Sequence, residues 1–257
     1  MKIRYGAWVD LPGISTREVA QIREAKYDKN GLYLFTVSYN NDKRALEDPM
    51  IELYISSPRE DIFRIEARHF SGSRKRMPQF ELTTDPQPLE IKETDTSLTV
   101  LSGKMRLEIS KNPAYFDFYY EDRYLTSFAK KWDRSYISHI TKNGESYMDA
   151  HLSIDLNECI YGLGERFTPL VKNGQSVDMW NEDGGTCTEI AYKNIPFYLS
   201  SKGYGVFVND SGPVSYEICS EQVSRAQMSV PGEKIDLMVI GGKDMKGALS
   251  NYCALTG

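Results

Sequence analysis

Apolar and polar residues alternate one by one along much of this chain, and a period of two is what a strand with one buried face requires. In "MIELYISS" the side chains of Ile51, Leu53 and Ile55 share one face, and in "KMRLEIS" Met105, Leu107 and Ile109 do the same. The segments "GLYLFTVSY", "DIFRIEARHF", "SLTVLSG", "YFDFYYED", "NIPFYLSS", "GYGVFVND", "VSYEICS" and "KIDLMVIGG" are rich in β-branched and aromatic residues and are punctuated by turn-forming ones. Many short strands at close spacing predict an all-β sandwich. With 257 residues and 40% hydrophobic composition there is enough apolar surface to fill one large sandwich or two small ones. No repeat of fixed period, low-complexity tract or long linker divides the chain, so a sandwich domain is expected over residues 1–242. Asp244 is placed to cap a helix whose Met245, Ala248, Leu249 and Tyr252 share a face, and residues 243–257 are expected as a helical connection. The chain then ends at "ALTG" without a closing strand, so more chain is expected to follow.

Charge narrows the choice of partners. Against 31 Lys and Arg stand 36 Asp and Glu, a net charge of -5, so no broad cationic surface is available for phosphates or anionic lipid. Neither nucleic acid nor membrane is expected as a partner, and "RKR" at Arg74 to Arg76 is read as a solvated loop. The opening "MKIRYGAWVDLPG" lacks the apolar h-region of a signal peptide, and no stretch approaches the ~20 apolar residues of a membrane span. A cytoplasmic protein is the expectation. Cys159, Cys187, Cys219 and Cys253 contain no C-x-x-C and are read as reduced thiols. His69, His139 and His151 are scattered and are read as structural or surface residues, so no metal and no cofactor is expected.

No complete catalytic arrangement is visible: there is no G-x-S-x-G elbow, no H-E-x-x-H and no P-loop, and "GLGE" is too short for a dinucleotide fingerprint. The densest chemistry lies in "WNEDGGT", Trp180 to Thr186. Gly184-Gly185 relaxes the backbone for a sharp turn or a close ligand. Asn181, Glu182 and Asp183 offer acceptors beside the flat face of Trp180, a combination that suits a sugar ring with its C–H face and hydroxyls. The same residues also make ordinary hairpin turns, and the loop alone does not decide between the two.

The order of motifs does more. "IYGLGERFTPLVKNGQSVDMWNEDGGT", followed directly by "AYKNIPFYLSSKGYGVFVND", resembles the N-terminal domain of glycoside hydrolase family 31, and within it the bacterial α-xylosidases. The likeness is specific over Ile160 to Asn209 and rests on strand pattern before that. It implies a galactose-mutarotase-like β-sandwich packed against a (β/α)8 barrel that carries both catalytic aspartates. Because "ALTG" falls where the family passes from sandwich to barrel, no catalytic residue is assigned to this chain. The loop matching "WNEDGGT" is implied to reach the barrel mouth and contact substrate through Asp183, with Trp180 and Asn181 beside it and Gly184 and Gly185 at its tip. Glu182 is read as solvated. Glu165 and Arg166 are read as bonding each other and bracing the base of the loop. Cys187 stands where the family pattern suggests a small hydroxyl residue.

The function so implied is an active-site-completing domain of a retaining α-glycosidase, inactive alone, taking an α-xyloside first and an α-glucoside next. Its partners would be an α-xyloside or α-glucoside oligosaccharide and its own C-terminal barrel domain. Two rivals stay open. A mutarotase-type sugar epimerase would need a His acid and a Glu base converging on the sheet. A non-catalytic carbohydrate-binding module would show a row of exposed aromatics, for which the 17 tyrosines leave room. The aglycone and a homo-oligomer of the full-length enzyme are left undecided.

Overall fold

The computed structural model describes residues 1–5, 9–39, 50–72, 78–131, 134–182 and 190–257. Among them the first half of the chain forms β1 (Arg4–Tyr5), β2 (Val9–Asp10), β3 (Ile14–Tyr27), β4 (Leu32–Tyr39), β5 (Met50–Ser56), β6 (Ile62–Arg68), β7 (Glu90–Glu93), β8 (Ser97–Ser102), β9 (Met105–Lys111), β10 (Ala114–Tyr120) and β11 (Arg123–Ser127). The second half forms β12 (Lys130–Lys131), β13 (Arg134–Ser135), β14 (Ile137–Lys142), β15 (Glu145–Ser153), β16 (Ile160–Gly162), β17 (Gln175–Met179), β18 (Phe197–Ser200), β19 (Tyr204–Val208), β20 (Val214–Ile218), β21 (Arg225–Pro231), β22 (Lys234–Gly241) and the helix α1 (Met245–Thr256).

Two sheets carry the architecture. The larger has 13 strands in the order β16-β18-β19-β22-β6-β5-β4-β3-β14-β15-β21-β20-β17, and the smaller has five, β11-β10-β9-β8-β7. Every one of the eight segments singled out above supplies a strand, and the alternation decides which side chains face inward. Ile51, Leu53 and Ile55 of β5 meet Met105, Leu107 and Ile109 of β9 in one apolar cluster, all of them buried. Phe63 of β6 and Phe118 of β10 approach across the sheets with ring centroids 6.4 Å apart, and Phe128 lies edge-on to both Phe116 and Phe118 at 5.7 Å. Tilted and edge-to-face rings of this kind add about 0.5–1.5 kcal/mol per pair to the area they bury.

A second, smaller cluster covers the far face of the large sheet, where Ile62, Phe197, Phe207, Met238 and Ile240 are closed off by Leu255 of α1. Asp244 caps the helix as expected, its Oδ1 accepting from the Gly247 amide at 2.8 Å. The docked ridge is Ala248, Tyr252 and Leu255, with Tyr252 stacked on Phe197 at 3.8 Å. Leu249, expected on that face, is exposed, because it lies one residue and so about 100° around the helix from Ala248.

The outer face of β15 is polar. Met148, Ala150 and Leu152 point into the core, while Asp149 and His151 point away from it and are still fully buried. Asp149 Oδ2 and His151 Nε2 lie 2.7 Å apart as a fully buried acid–imidazole pair. Burial holds the His151 imidazole below its ordinary pKa, with Asp149 opposing the shift. Cys159, Cys219 and Cys253 are unpaired thiols, and Cys187 lies outside the described residues. Among the described residues no helix is long and apolar enough to cross a membrane.

Candidate functional site

Although β16 and β17 stand at opposite ends of the strand order, residues 163–174 join them directly. The large sheet therefore curls until its edges approach. Tyr216 of β20 donates across the gap to the Pro196 carbonyl, just ahead of β18, at 2.9 Å, and Arg166 donates from the β16 side to the Asp178 carbonyl of β17 at 3.3 Å. The site lies along this seam.

Its first piece is the turn after β16. Gly162, Leu163 and Gly164 take positive φ in succession, at 102°, 67° and 85°. Their backbone runs against residues 193–197, with Leu163 N–H on the Phe197 carbonyl at 2.9 Å and Glu165 N–H on the Lys193 carbonyl at 3.0 Å. A Cβ on Gly164 would stand 2.0 Å from the Lys193 oxygen, so only glycine permits the approach. "GLGE" is thus a backbone clasp, and it fixes where Glu165 and Arg166 begin.

Glu165 and Arg166 do not bond each other. The Glu165 carboxylate faces Lys193 Nζ at 3.1 Å in an exposed pair. Arg166 turns inward: its Nε donates to the Leu163 carbonyl at 3.0 Å, and one terminal nitrogen reaches the Asp178 carbonyl and Asn194 Oδ1. Consecutive side chains leaving a tight turn diverge, which is why neighbours in sequence acquire different partners. Asn194 carries the bracing onward through Nδ2, to Asn181 Oδ1 at 2.7 Å and the Ala191 carbonyl at 3.0 Å. Asn181 pairs with Ala191 in a parallel bridge, and Glu182 N–H donates to the Ala191 carbonyl at 3.2 Å. Arg166, Asn194 and Asn181 therefore tie the start of the "WNEDGGT" loop, and Ala191 beyond it, to the seam. Asp183, Gly184 and Gly185 lie outside the described residues.

Two depressions flank these loop ends. Trp180, 55% exposed, lines one of about 370 Å³ with Phe80, Asn181, Pro196, Asp210 and Ser211. The other, about 730 Å³, is bounded by Glu165, Phe167, Leu170, Lys172, Ala191 and Tyr192. Phe167, Leu170 and Tyr192 stand 69%, 75% and 67% exposed around it. Lys172 is buried at its base, donating to Thr168 Oγ1 at 2.9 Å and the Pro169 carbonyl at 2.8 Å, and burial lowers its pKa with the Arg166 charge acting in the same direction. Asn194, Lys172 and Tyr192 escaped the sequence-based selection. The only signal for the patch was "RFTPL", with Phe167 and Leu170 beside a proline and outside any strand pattern.

Comparison with known proteins follows from this geometry. The family model described as "Glycosyl hydrolase 31 N-terminal galactose mutarotase-like domain" matches residues 52–217. An α-xylosidase of Emericella nidulans is 36% identical over 277 residues, an alignment covering 100% of this chain and 36% of the relative. The α-xylosidase XylQ of Lactiplantibacillus pentosus is 35% identical over 262 residues, covering 100% of this chain and 34% of its own length. This chain thus spans about a third of the length of the curated relatives it matches. Among solved structures, the cycloalternan-forming enzyme of Listeria monocytogenes in complex with a pentasaccharide substrate superposes with a TM-score of 0.78 at 19% identity, covering 93% of this chain and 22% of that one. At that identity the likeness concerns the fold.

Proposed function

The chain belongs to glycosyl hydrolase family 31 as its N-terminal galactose mutarotase-like domain, and from that premise we propose that it completes the sugar site of a retaining α-glycosidase, directed to α-xylosides first and α-glucosides next. The observation that carries this is the Arg166–Asn194–Asn181 relay, which holds the start of the "WNEDGGT" loop and Ala191 beyond it at the seam of the curled sheet. A loop whose stem is fixed by charge-assisted and amide bonds presents its tip with little entropy left to lose on binding. The exposed patch of Phe167, Leu170 and Tyr192 beside it suits a surface covered by a further domain, the barrel of the same protein. Preference for α-xylosides draws on the two α-xylosidases named above.

In a retaining mechanism two carboxyl groups about 5–5.5 Å apart form and then break a glycosyl intermediate. We assign both to the barrel and none to this chain. Asp183 instead accepts hydrogen bonds from sugar hydroxyls, with Trp180 offering its face alongside. An epimerase of the mutarotase type is not the reading we favour: His151 is fully buried, and His69 and His139, although they meet Glu233, do so away from the seam and its depressions.

The test is kinetic, in the full-length enzyme. Asp183→Ala removes charge-assisted bonds worth about 1.5–3 kcal/mol, about ten- to over a hundredfold in kcat/KM on p-nitrophenyl α-xyloside, with the melting temperature unchanged. Asp183→Asn falls between, and Glu182→Ala stays near wild type. Equal activity in all three variants would reduce the loop to an ordinary turn and remove the proposal.

A further inference from the structure

Away from the seam, three residues distant in sequence converge where the β21–β22 hairpin crosses the ends of β6 and β14. His69 follows β6, His139 lies within β14, and Glu233 is in the hairpin turn. One ligand atom from each, two imidazole nitrogens and a carboxylate oxygen, lies within 4.8 Å of the others. Glu233 Oε2 is the common point, 2.5 Å from His69 Nδ1 and 3.7 Å from His139 Nε2.

The backbone around them is fixed on every side. His69 N–H donates to the Glu233 carbonyl at 2.9 Å, Gly232 N–H donates to the Ser146 carbonyl at 2.8 Å, and Lys234 is in register with Arg68. Ser146 Oγ lies 2.6 Å from His139 Nε2 and also bonds the Glu233 carboxylate, so it occupies the position an ion would take and must give up the Nε2 contact when one binds. The two imidazoles stack at 3.7 Å, with the Glu233 carboxylate beside both.

We propose that His69, His139 and Glu233 form a binding site for one divalent transition-metal ion, with zinc as the type case. Two imidazoles and one carboxylate are a borderline-soft set that suits zinc, cobalt or nickel and disfavours magnesium or calcium, which take oxygen ligands. Bonds of about 2.0–2.2 Å in a tetrahedron put donor atoms roughly 3.4 Å apart, so the 3.7 Å pair is already close to that spacing while the 2.5 Å contact of Glu233 with His69 must open, and three protein ligands leave a fourth position for water. The rings must adjust as well. The two rings are parallel within 16°, so their in-plane lone pairs do not yet converge. His139 is held within the sheet, whereas the His69 side chain is 25% exposed after the last residue of its strand, so His69 is the ring that tilts off the stack. The ion would then tie the hairpin to β6 and β14, a clasp independent of the sugar site.

The experiment titrates zinc chloride into the chelator-stripped 257-residue chain, reading stoichiometry by calorimetry, and repeats the titration with cobalt, reading its visible spectrum. One equivalent per chain, a rise in melting temperature, and a cobalt spectrum without thiolate charge-transfer bands are expected. His69→Ala and Glu233→Gln should each weaken binding about tenfold or more while keeping the circular dichroism of the parent. Absence of zinc binding overturns the proposal, and so does binding by both variants as tight as by the parent, which would place the ion elsewhere on the chain.

Discussion

Between the sheets, Phe63, Phe116, Phe118 and Phe128 meet ring to ring with no polar atom to satisfy, whereas along the seam Arg166, Asn194 and Asn181 hold together almost entirely through carbonyl and amide groups. The first region is held by area removed from water and by packing, which are non-directional. The second depends on atoms being within tenths of an ångström of set positions. Volume is therefore what the interior notices, and backbone geometry is what the seam notices.

The interior should show the largest loss of stability. Phe118 is fully buried and touches partners from both sheets, so Phe118→Ala should cost about 3–5 kcal/mol, read as a lower urea midpoint with an unchanged m-value. Phe118→Leu should recover much of it, since cores tolerate apolar swaps of similar volume. If the two variants were equally damaged, ring geometry would matter as much here as hydrogen-bond geometry does at the seam, and the contrast would fail.

At the seam the smallest possible side chain should do damage of the next rank. Gly164→Ala puts a methyl 2.0 Å from the Lys193 oxygen on a backbone at φ 85°, and is expected to cost about 1–3 kcal/mol through conformation alone, with the clash added to that. Gly174→Ala is the matched control, since φ there is 86° and no atom lies within 4 Å of the added carbon. Melting temperatures of the two variants separate close approach from left-handed backbone. In the full-length enzyme Gly164→Ala should also lower kcat/KM beyond what its stability explains, because Lys193 and Asn194 must shift and Asn194 positions Asn181.

The same contrast accounts for what could be read in advance. Alternation reports burial directly, so the strands of "MIELYISS" and "KMRLEIS" and their inward residues were legible residue by residue. The 14-residue β3 was not among the segments picked out, because register shifts between Val19 and Gln21 and between Ile22 and Glu24 break its period and leave Val19 and Ala20 buried side by side. Hydrogen-bonded geometry leaves no such trace. The carbonyls that Arg166 uses belong to residues that any side chain would supply, and Asn194 is 28 residues away from it. His69, His139 and Glu233 likewise have no spacing to recognise, and their meeting is a product of strand order. The order of motifs singled out the "WNEDGGT" loop because its residue types sit side by side in the sequence, whereas the side chains that brace its start do not.

The smallest effect is expected where the seam meets water. Glu165 and Lys193 pair at 3.1 Å, but their side chains are 77% and 62% exposed, and an ion pair in that setting is screened by solvent and salt. What Glu165 gives the seam is its backbone N–H on the Lys193 carbonyl, which any residue retains. Glu165→Gln should therefore leave stability within about 0.5 kcal/mol of the parent, with the difference shrinking further at high salt. Its kcat/KM in the full-length enzyme should stay near wild type as well. Glu165 also borders the larger depression, so a drop of about tenfold or more in kcat/KM at unchanged melting temperature would reveal a sugar contact. In that event the seam would divide in two, a backbone clasp inside and a binding edge outside, and the Glu165 carboxylate would join Asp183 in the site.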